Sequence, residues 1–406
     1  MATLSAIQRG SKTLSGGTAS MTIVRGTDAG FNTTVTAAST ILIVTYRATS
    51  GVGLINWELT DGDTITVART DTTGDVVVFW TLLSFTSGVV VQHKSVSLST
   101  VQTTNTAAIN ATSIGGGRWI IAGGVNNSGS NGPHRAWGRW KIDSSTQISV
   151  TRTTADGSDS IVCKCQVVEY DSATVQVVEK TLTTTTSTTD DTTITGVDTA
   201  KTAIWGTMQA GGAGTMTDQF WDGFLTSTTN FRIERNGTTS STLTLTAYVV
   251  EFTDSASVQA VAVTHSDGVG TVNTTITAID TSKACPLTSG ISPGGMSAGR
   301  TATSTANYER QYVSSELTTT TNVQTVRGST SGAQAYHSQV VQFATASTSA
   351  VGALAGQGGG LAGMGSGLAG PGGLAGRYLN RSMTKINGLW QHTKQLIRPR
   401  LDLQGA

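Results

Sequence analysis

A short apolar ending recurs four times along the 406 residues: Thr81-Leu82-Leu83-Ser84-Phe85, Gln166-Val167-Val168-Glu169-Tyr170, Tyr248-Val249-Val250-Glu251-Phe252 and Gln339-Val340-Val341-Gln342-Phe343. Sixteen to eighteen residues before each closing aromatic stands an arginine that ends an alternating run, at Arg69, Arg152, Arg235 and Arg327. A glutamine preceded by an apolar residue marks the same period in another phase, at Gln8, Gln92, Gln176 and Gln259, with intervals of 84, 84 and 83 residues. Self-similarity at a fixed period is the signature of repeated supersecondary units. It divides this chain into units over 3–86, 87–171, 172–253 and 254–345.

Each unit strings short alternating runs between turn signals. The first has Met21–Val24, Ile41–Tyr46, Leu54–Leu59 and Ile65–Val67, with Asp61-Gly62-Asp63 before the last. An Asp-Gly pair between alternating runs is a hairpin signal, because glycine takes positive φ without steric cost. The third unit resembles the fourth closely over Thr192–Thr202 and Thr274–Ala284, which share seven of eleven residues. Threonine, valine, serine and glycine dominate and only 13% of residues are charged, a mixture that suits pleated sheet with one wet face. Roughly seven strands per unit predict an all-β chain of four tandem antiparallel β-sandwich repeats of immunoglobulin-like size. An up-and-down barrel, or two units sharing one larger sandwich, fits the same pattern.

Beyond Phe343 the character changes twice. Residues 346–376 form a glycine-rich tract without charge in which Leu354, Leu361, Leu368 and Leu374 each precede Ala-Gly. Glycine-rich tracts serve as flexible linkers; the regular leucines also suit anchors that let a backbone approach a partner closely. Residues 377–406 are basic. The spacing of Leu379, Met383, Ile386, Trp390 and Ile397 predicts an amphipathic helix over 377–400, which needs a partner for its apolar stripe. Residues 1–376 carry a net charge of −4 and the last thirty carry +5.

Little in the sequence points to chemistry. The five histidines, His93, His134, His265, His337 and His392, fall at unrelated repeat positions and outside metal-ligand spacings. The acidic pairs Asp61 with Asp63 and Asp190 with Asp191 lie in turn-forming stretches where Asp caps its own backbone. No nucleophile elbow or phosphate loop is present, so the sequence predicts no catalytic residue, no metal site and no cofactor. It also predicts no nucleic-acid partner and no membrane span. Cys163 and Cys165 sit two apart in a strand pattern and cannot close an ordinary disulfide, and with no secretory-signal layout at the start this points to a reducing compartment. The four arginines are expected to fix corners by pairing with carboxylates such as Asp71 or Asp156. Trp57, Trp137, Trp140, Trp221 and Tyr308 occupy one segment of their units. They read either as core rings or as platforms for stacking glycans.

Threonine- and glycine-rich repeats ending in Val-Val-Glu-Phe-type strands, followed by a Leu-Ala-Gly tract and a short docking segment, resemble virion structural proteins of tailed bacteriophages. The resemblance lies in composition and organisation. It implies a non-enzymatic head-decoration, tail or fibre component, assembled in the host cytoplasm as a homo-oligomer with other virion proteins. It further implies docking through Leu354, Leu361, Leu368, Leu374, Leu379, Met383, Ile386, Trp390 and Ile397. The alternative is an attachment protein that binds host-surface carbohydrate.

Overall fold

A computed structural model describes residues 1–50, 54–111, 113–127, 137–155, 159–182, 188–210, 222–235, 242–288, 291–293, 300–301, 312–344, 382–386 and 389–393. The chain divides into two units, Met1–Ser347 and Thr348–Ala406.

The first unit is all-β. Its opening stretch supplies β1 (Thr3–Leu14), β2 (Ser20–Val24), β3 (Thr40–Ala48), β4 (Asn56–Asp61), β5 (Thr64–Ala68) and β6 (Val76–Ser87). The next supplies β7 (Val89–Leu98), β8 (Thr104–Ala108), β9 (Gly117–Asn127), β10 (Arg139–Ser144), β11 (Gln147–Thr151) and β12 (Ile161–Tyr170). The third supplies β13 (Ala173–Leu182), β14 (Thr189–Thr193), β15 (Thr202–Ala210), β16 (Asp222–Ser227), β17 (Asn230–Glu234) and β18 (Leu243–Phe252). The fourth supplies β19 (Ser257–His265), β20 (Thr271–Thr275), β21 (Ala284–Leu287), the short β22 (Ile291–Pro293) and β23 (Arg300–Thr301), then β24 (Val313–Thr319), β25 (Asn322–Arg327) and β26 (Gln334–Gln342).

One pairing pattern recurs in all four stretches. The last strand lies between the first and the third, giving the antiparallel sets β1-β6-β3, β7-β12-β9, β13-β18-β15 and β19-β26-β21. A second set places the hairpin's return strand in the middle: β2-β5-β4, β8-β11-β10, β14-β17-β16 and β20-β25-β24. Even the irregularities repeat. Each of the four hairpins shifts register at the same place, between Leu59 and Asp61, Ile142 and Ser144, Leu225 and Ser227, and Leu317 and Thr319. The main pattern uses six strands per stretch where the sequence suggests seven, because apolar runs that look separate merge into long strands such as β1 and β6, of 12 residues each.

Burial explains the composition of the two sets. Strands β3, β9, β12 and β18 are buried on both faces over most of their length, which is why they read as continuous apolar runs. Strands β8, β14 and β20 alternate exposed and half-buried residues, with Thr104, Thr106, Asp191 and Asn273 among those facing water. Such short polar edges resist pairing with other chains. A single hydrophobic cluster extends through all four stretches, from Leu4 and Trp80 to Trp119, Trp205, Tyr312 and Phe343, with two smaller clusters within the fourth.

The second unit departs from expectation. Where the apolar spacing predicts a helix, Ser382–Ile386 (β27) and Leu389–Thr393 (β28) pair as an antiparallel hairpin. The intervening residues are Asn387 and Gly388, the dipeptide most favoured in two-residue hairpin loops. The apolar spacing that suggests a helix also fits two short strands, and an internal glycine weakens the helical alternative. Leu354, Leu361, Leu368, Leu374, Leu379 and Ile397 lie outside the described residues.

Candidate functional site

The four recurrent endings converge. Phe85, Tyr170, Phe252 and Phe343 form a closed cycle of ring contacts with centroids 5.9, 5.3, 5.8 and 5.6 Å apart in that order, and Tyr170 also meets Phe343 at 6.4 Å. Most of these pairs are edge-to-face, the arrangement favoured by the ring quadrupole. Thus each stretch contributes one aromatic to a shared hub. The connectors between stretches lie beside it. Gly88, at φ +74°, stands where an added Cβ would lie 2.4 Å from the Ala2 Cα. Asp254 accepts a hydrogen bond from the Tyr170 hydroxyl at 2.9 Å and another from the Ala256 amide. The Leu4 amide donates to the Ala344 carbonyl at 3.3 Å, so the start of β1 meets the end of the fourth stretch.

Around the hub, side chains of one stretch satisfy the main chain of the next. The Gln166 amide on β12 both donates to the Leu42 carbonyl and accepts from the Leu42 amide on β3, at 2.6 and 2.8 Å. Gln339 on β26 does the same to Ile204 on β15, at 3.1 and 2.8 Å. Thr45 on β3 brackets Ser315 on β24, accepting from its amide at 3.0 Å and donating to its carbonyl at 3.2 Å. Thr207 on β15 brackets Trp140 on β10 likewise, at 2.8 and 3.5 Å. Aromatic stacks accompany the second kind of junction, Tyr46 on Tyr312 at 5.0 Å and Trp119 on Trp205 at 5.3 Å. The first strands join in too: His93 on β7 bonds the Ala37 carbonyl, and Arg9 on β1 donates to the Thr281 and Ala284 carbonyls. First meets second, second meets third, third meets fourth, and fourth meets first. The four stretches close into a ring.

The repeated markers act within their own stretch. Gln8, Gln92, Gln176 and Gln259 each clamp the amide and carbonyl of one loop residue, respectively Thr33, Asn110, Thr195 and Thr277. The four marker arginines are only 1 to 3% exposed. Arg69 donates to the carbonyls of Ser15, Thr18 and Gly74, Arg152 to Ser99, Gln102 and Asp159, and Arg327 to Ser266, Val269, Thr330 and Gly332. These bonds tie the loop after the first strand to the corner before the last. At Arg69, Arg152 and Arg327 the corner is held through these main-chain carbonyls. Asp71 acts on Arg69 through its charge, and Asp156 lies outside the described residues.

Of the candidate glycan platforms, Trp57, Trp137 and Trp140 are 3, 0 and 0% exposed and belong to the core. Trp221 and Tyr308 lie outside the described residues. All three cysteines are free and buried, and burial pushes the thiols of Cys163 and Cys285 up to about 12. Two clefts open near the ring. One of about 140 Å³ lies between the first and fourth stretches against Arg9, Trp80, Pro286 and Leu317; the other, about 400 Å³, lies by Gln8, Thr33 and Ser84. Arg9 and Gln8 are already engaged with main chain. Among the described residues no group of three or more His, Cys, Asp or Glu could hold a metal ion, and no helix is long and apolar enough to cross a membrane.

The sequence reading missed the junctions. Thr45 and Thr207 stand in threonine-rich surroundings and carry no distinguishing local pattern, whereas Gln166 and Gln339 were visible as a shared residue in two of the four endings. One junction also carries a variation. The Lys164–Glu58 ion pair at 2.5 Å between the first two stretches is replaced, at the matching positions of the last two, by His337 stacked on Phe224 at 3.7 Å, with His337 also 2.5 Å from buried Asp222. No family model matches the chain, and no curated protein matches it in sequence.

Proposed function

We propose that this chain is a non-enzymatic structural component of a phage particle, a tail, fibre or head-decoration protein, in which residues 1–347 form a rigid body and residues 348–406 attach it to neighbouring subunits. On this reading the four stretches are copies of one small β-sandwich of immunoglobulin-like size.

The observation that carries it is the use made of the repeated residues. In an enzyme or receptor built from repeats, polar side chains at matched positions are free to meet a ligand. Here the matched glutamines, the arginines Arg69, Arg152 and Arg327, and the aromatic ends are committed to loops, corners and the hub. Repetition therefore serves stiffness, with short polar edges turned outward.

The test is incorporation. Truncation after Ser347 is expected to leave a folded, monodisperse body that no longer co-purifies with particles; normal incorporation overturns the attachment role. A glycan array with the full chain separates the carbohydrate alternative, which requires binding that Trp221→Ala or Tyr308→Ala abolishes.

A further inference from the structure

The junctions around the ring alternate with a period of two stretches. Gln166 to Leu42 recurs as Gln339 to Ile204, and Thr45 to Ser315 recurs as Thr207 to Trp140. The strand registers make these positions equivalent. Leu42 and Ile204 each lie two residues into the third strand of their stretch, and Ser315 and Trp140 stand opposite Thr325 and Val150, each two residues before a marker arginine. Repeats one and two (3–170) therefore form a half equivalent to repeats three and four (173–343). The surface joining the halves includes two matched contacts running in opposite senses, alongside unmatched ones such as Arg9 to the Thr281 and Ala284 carbonyls and the Lys141–Glu179 ion pair. Each half offers one threonine to, and receives one threonine from, the other. That is the geometry of an isologous two-fold interface, in which a patch is complementary to its own copy.

We infer that this interface accepts the corresponding half of a second copy of the chain, so that two chains exchange halves and rebuild two complete rings with the same junctions. The exchange needs only one connector to open. Strand β12 ends at Tyr170 and β13 begins at Ala173, leaving Asp171 and Ser172 as the hinge. In the closed chain this two-residue hinge is pinned by the Asp171 amide donating to the Gly88 carbonyl at 2.9 Å and by the Thr253 amide donating to the Ser172 carbonyl at 2.7 Å. Short hinges favour exchange, because a connector that cannot turn back is relieved by crossing to another chain.

Full-length chain refolded from urea at rising concentration is expected to yield, besides monomer, a dimer of twice 41.8 kDa by light scattering. The dimer should persist on dilution and show the circular dichroism of the monomer in the aromatic region. Deleting Ser172 is expected to shift the product to dimer, and inserting four Gly/Ser residues there to return it to monomer. A chain carrying Thr45→Arg and Thr207→Arg, whose substitutions fall on junctions shared by both forms, is expected to melt at lower temperature as monomer and to give no dimer that persists on dilution. Monomer alone at every concentration overturns the inference, as does a dimer that survives both threonine substitutions. Should the Ser172 deletion fail to fold, the concentration series on the unaltered chain decides the question.

Discussion

Arg152 shows what the recurrent arginines do. Its guanidinium reaches three carbonyls from two loops, with nitrogen–oxygen distances of 2.9, 2.9 and 2.7 Å. A charged donor is worth more per hydrogen bond than a neutral one, and a buried carbonyl left without a donor carries its full desolvation cost. Arg152→Met is therefore expected to lower stability by about 3 kcal/mol or more in urea unfolding. Arg152→Lys should recover only part, since an ammonium cannot span three acceptors in the guanidinium's fixed fork. The arginine's place at the end of an alternating run was legible in sequence; its acceptors were not, because carbonyls belong to every residue and leave no mark on residue type.

His265 is fully buried, with Nε2 facing the Thr325 and Tyr336 hydroxyls at 3.1 and 3.2 Å. Burial, then the charge of Arg327, lowers its pKa to about 4. The unfolded chain takes up this proton nearer 6.5. Between those values the unfolded state binds more protons, so stability is full above about pH 6.5 and falls as the pH drops toward 4. A second loss follows at lower pH. Asp191, hydrogen-bonded by Arg232 and Asn230, and Asp280, hydrogen-bonded by Ser282 and Lys283, are both held near 2, and their contribution disappears as the pH falls from about 4 toward 2. Melting temperature against pH should show both declines, and His265→Gln should flatten the first alone.

At the scale of elements, a glutamine from the neighbouring stretch caps the third strand of the first stretch at Leu42 and that of the third stretch at Ile204, and β15 is also paired in parallel with β22 from Gly206 to Met208. The Gln166 and Gln339 amides each complete one donor and one acceptor there. Gln166→Leu and Gln339→Leu are expected to cost about 2 kcal/mol each, the price of two unsatisfied backbone groups. Unequal losses in chemical denaturation would show that the two junctions differ in strength. Strand positions were largely readable, since alternation and turn residues are local signals. The partnership of β4 with β9 through Asn56 and Gly124 was not, because it joins different stretches. The pairing of Ser382–Ile386 with Leu389–Thr393 shows the same limit from the other side: apolar spacing suits both a helix and two short strands.

At the scale of the whole molecule, the hub makes the four stretches interdependent. Removing the Phe252 ring opens a cavity facing Tyr170 and Phe343. Phe252→Ala is expected to lower stability by about 3–5 kcal/mol and to move the melting of residues 1–347 as one transition. Separate transitions in scanning calorimetry would mean that the stretches unfold independently. The period of 84 residues was plain in the sequence, but beads on a string and a closed ring share that period. What separates them is the convergence of four distant aromatics, which periodicity alone does not require.

The Leu4 amide, bonded to the Ala344 carbonyl, brings the start of β1 against the end of the fourth stretch. Where the two ends of a fold touch, the order in which it is written is a convention. A circularly permuted gene that begins at Ala173, runs to Ala344, crosses a short linker to Ala2 and finishes at Ser172 should encode the same body, with melting temperature and aromatic circular dichroism close to those of the parent.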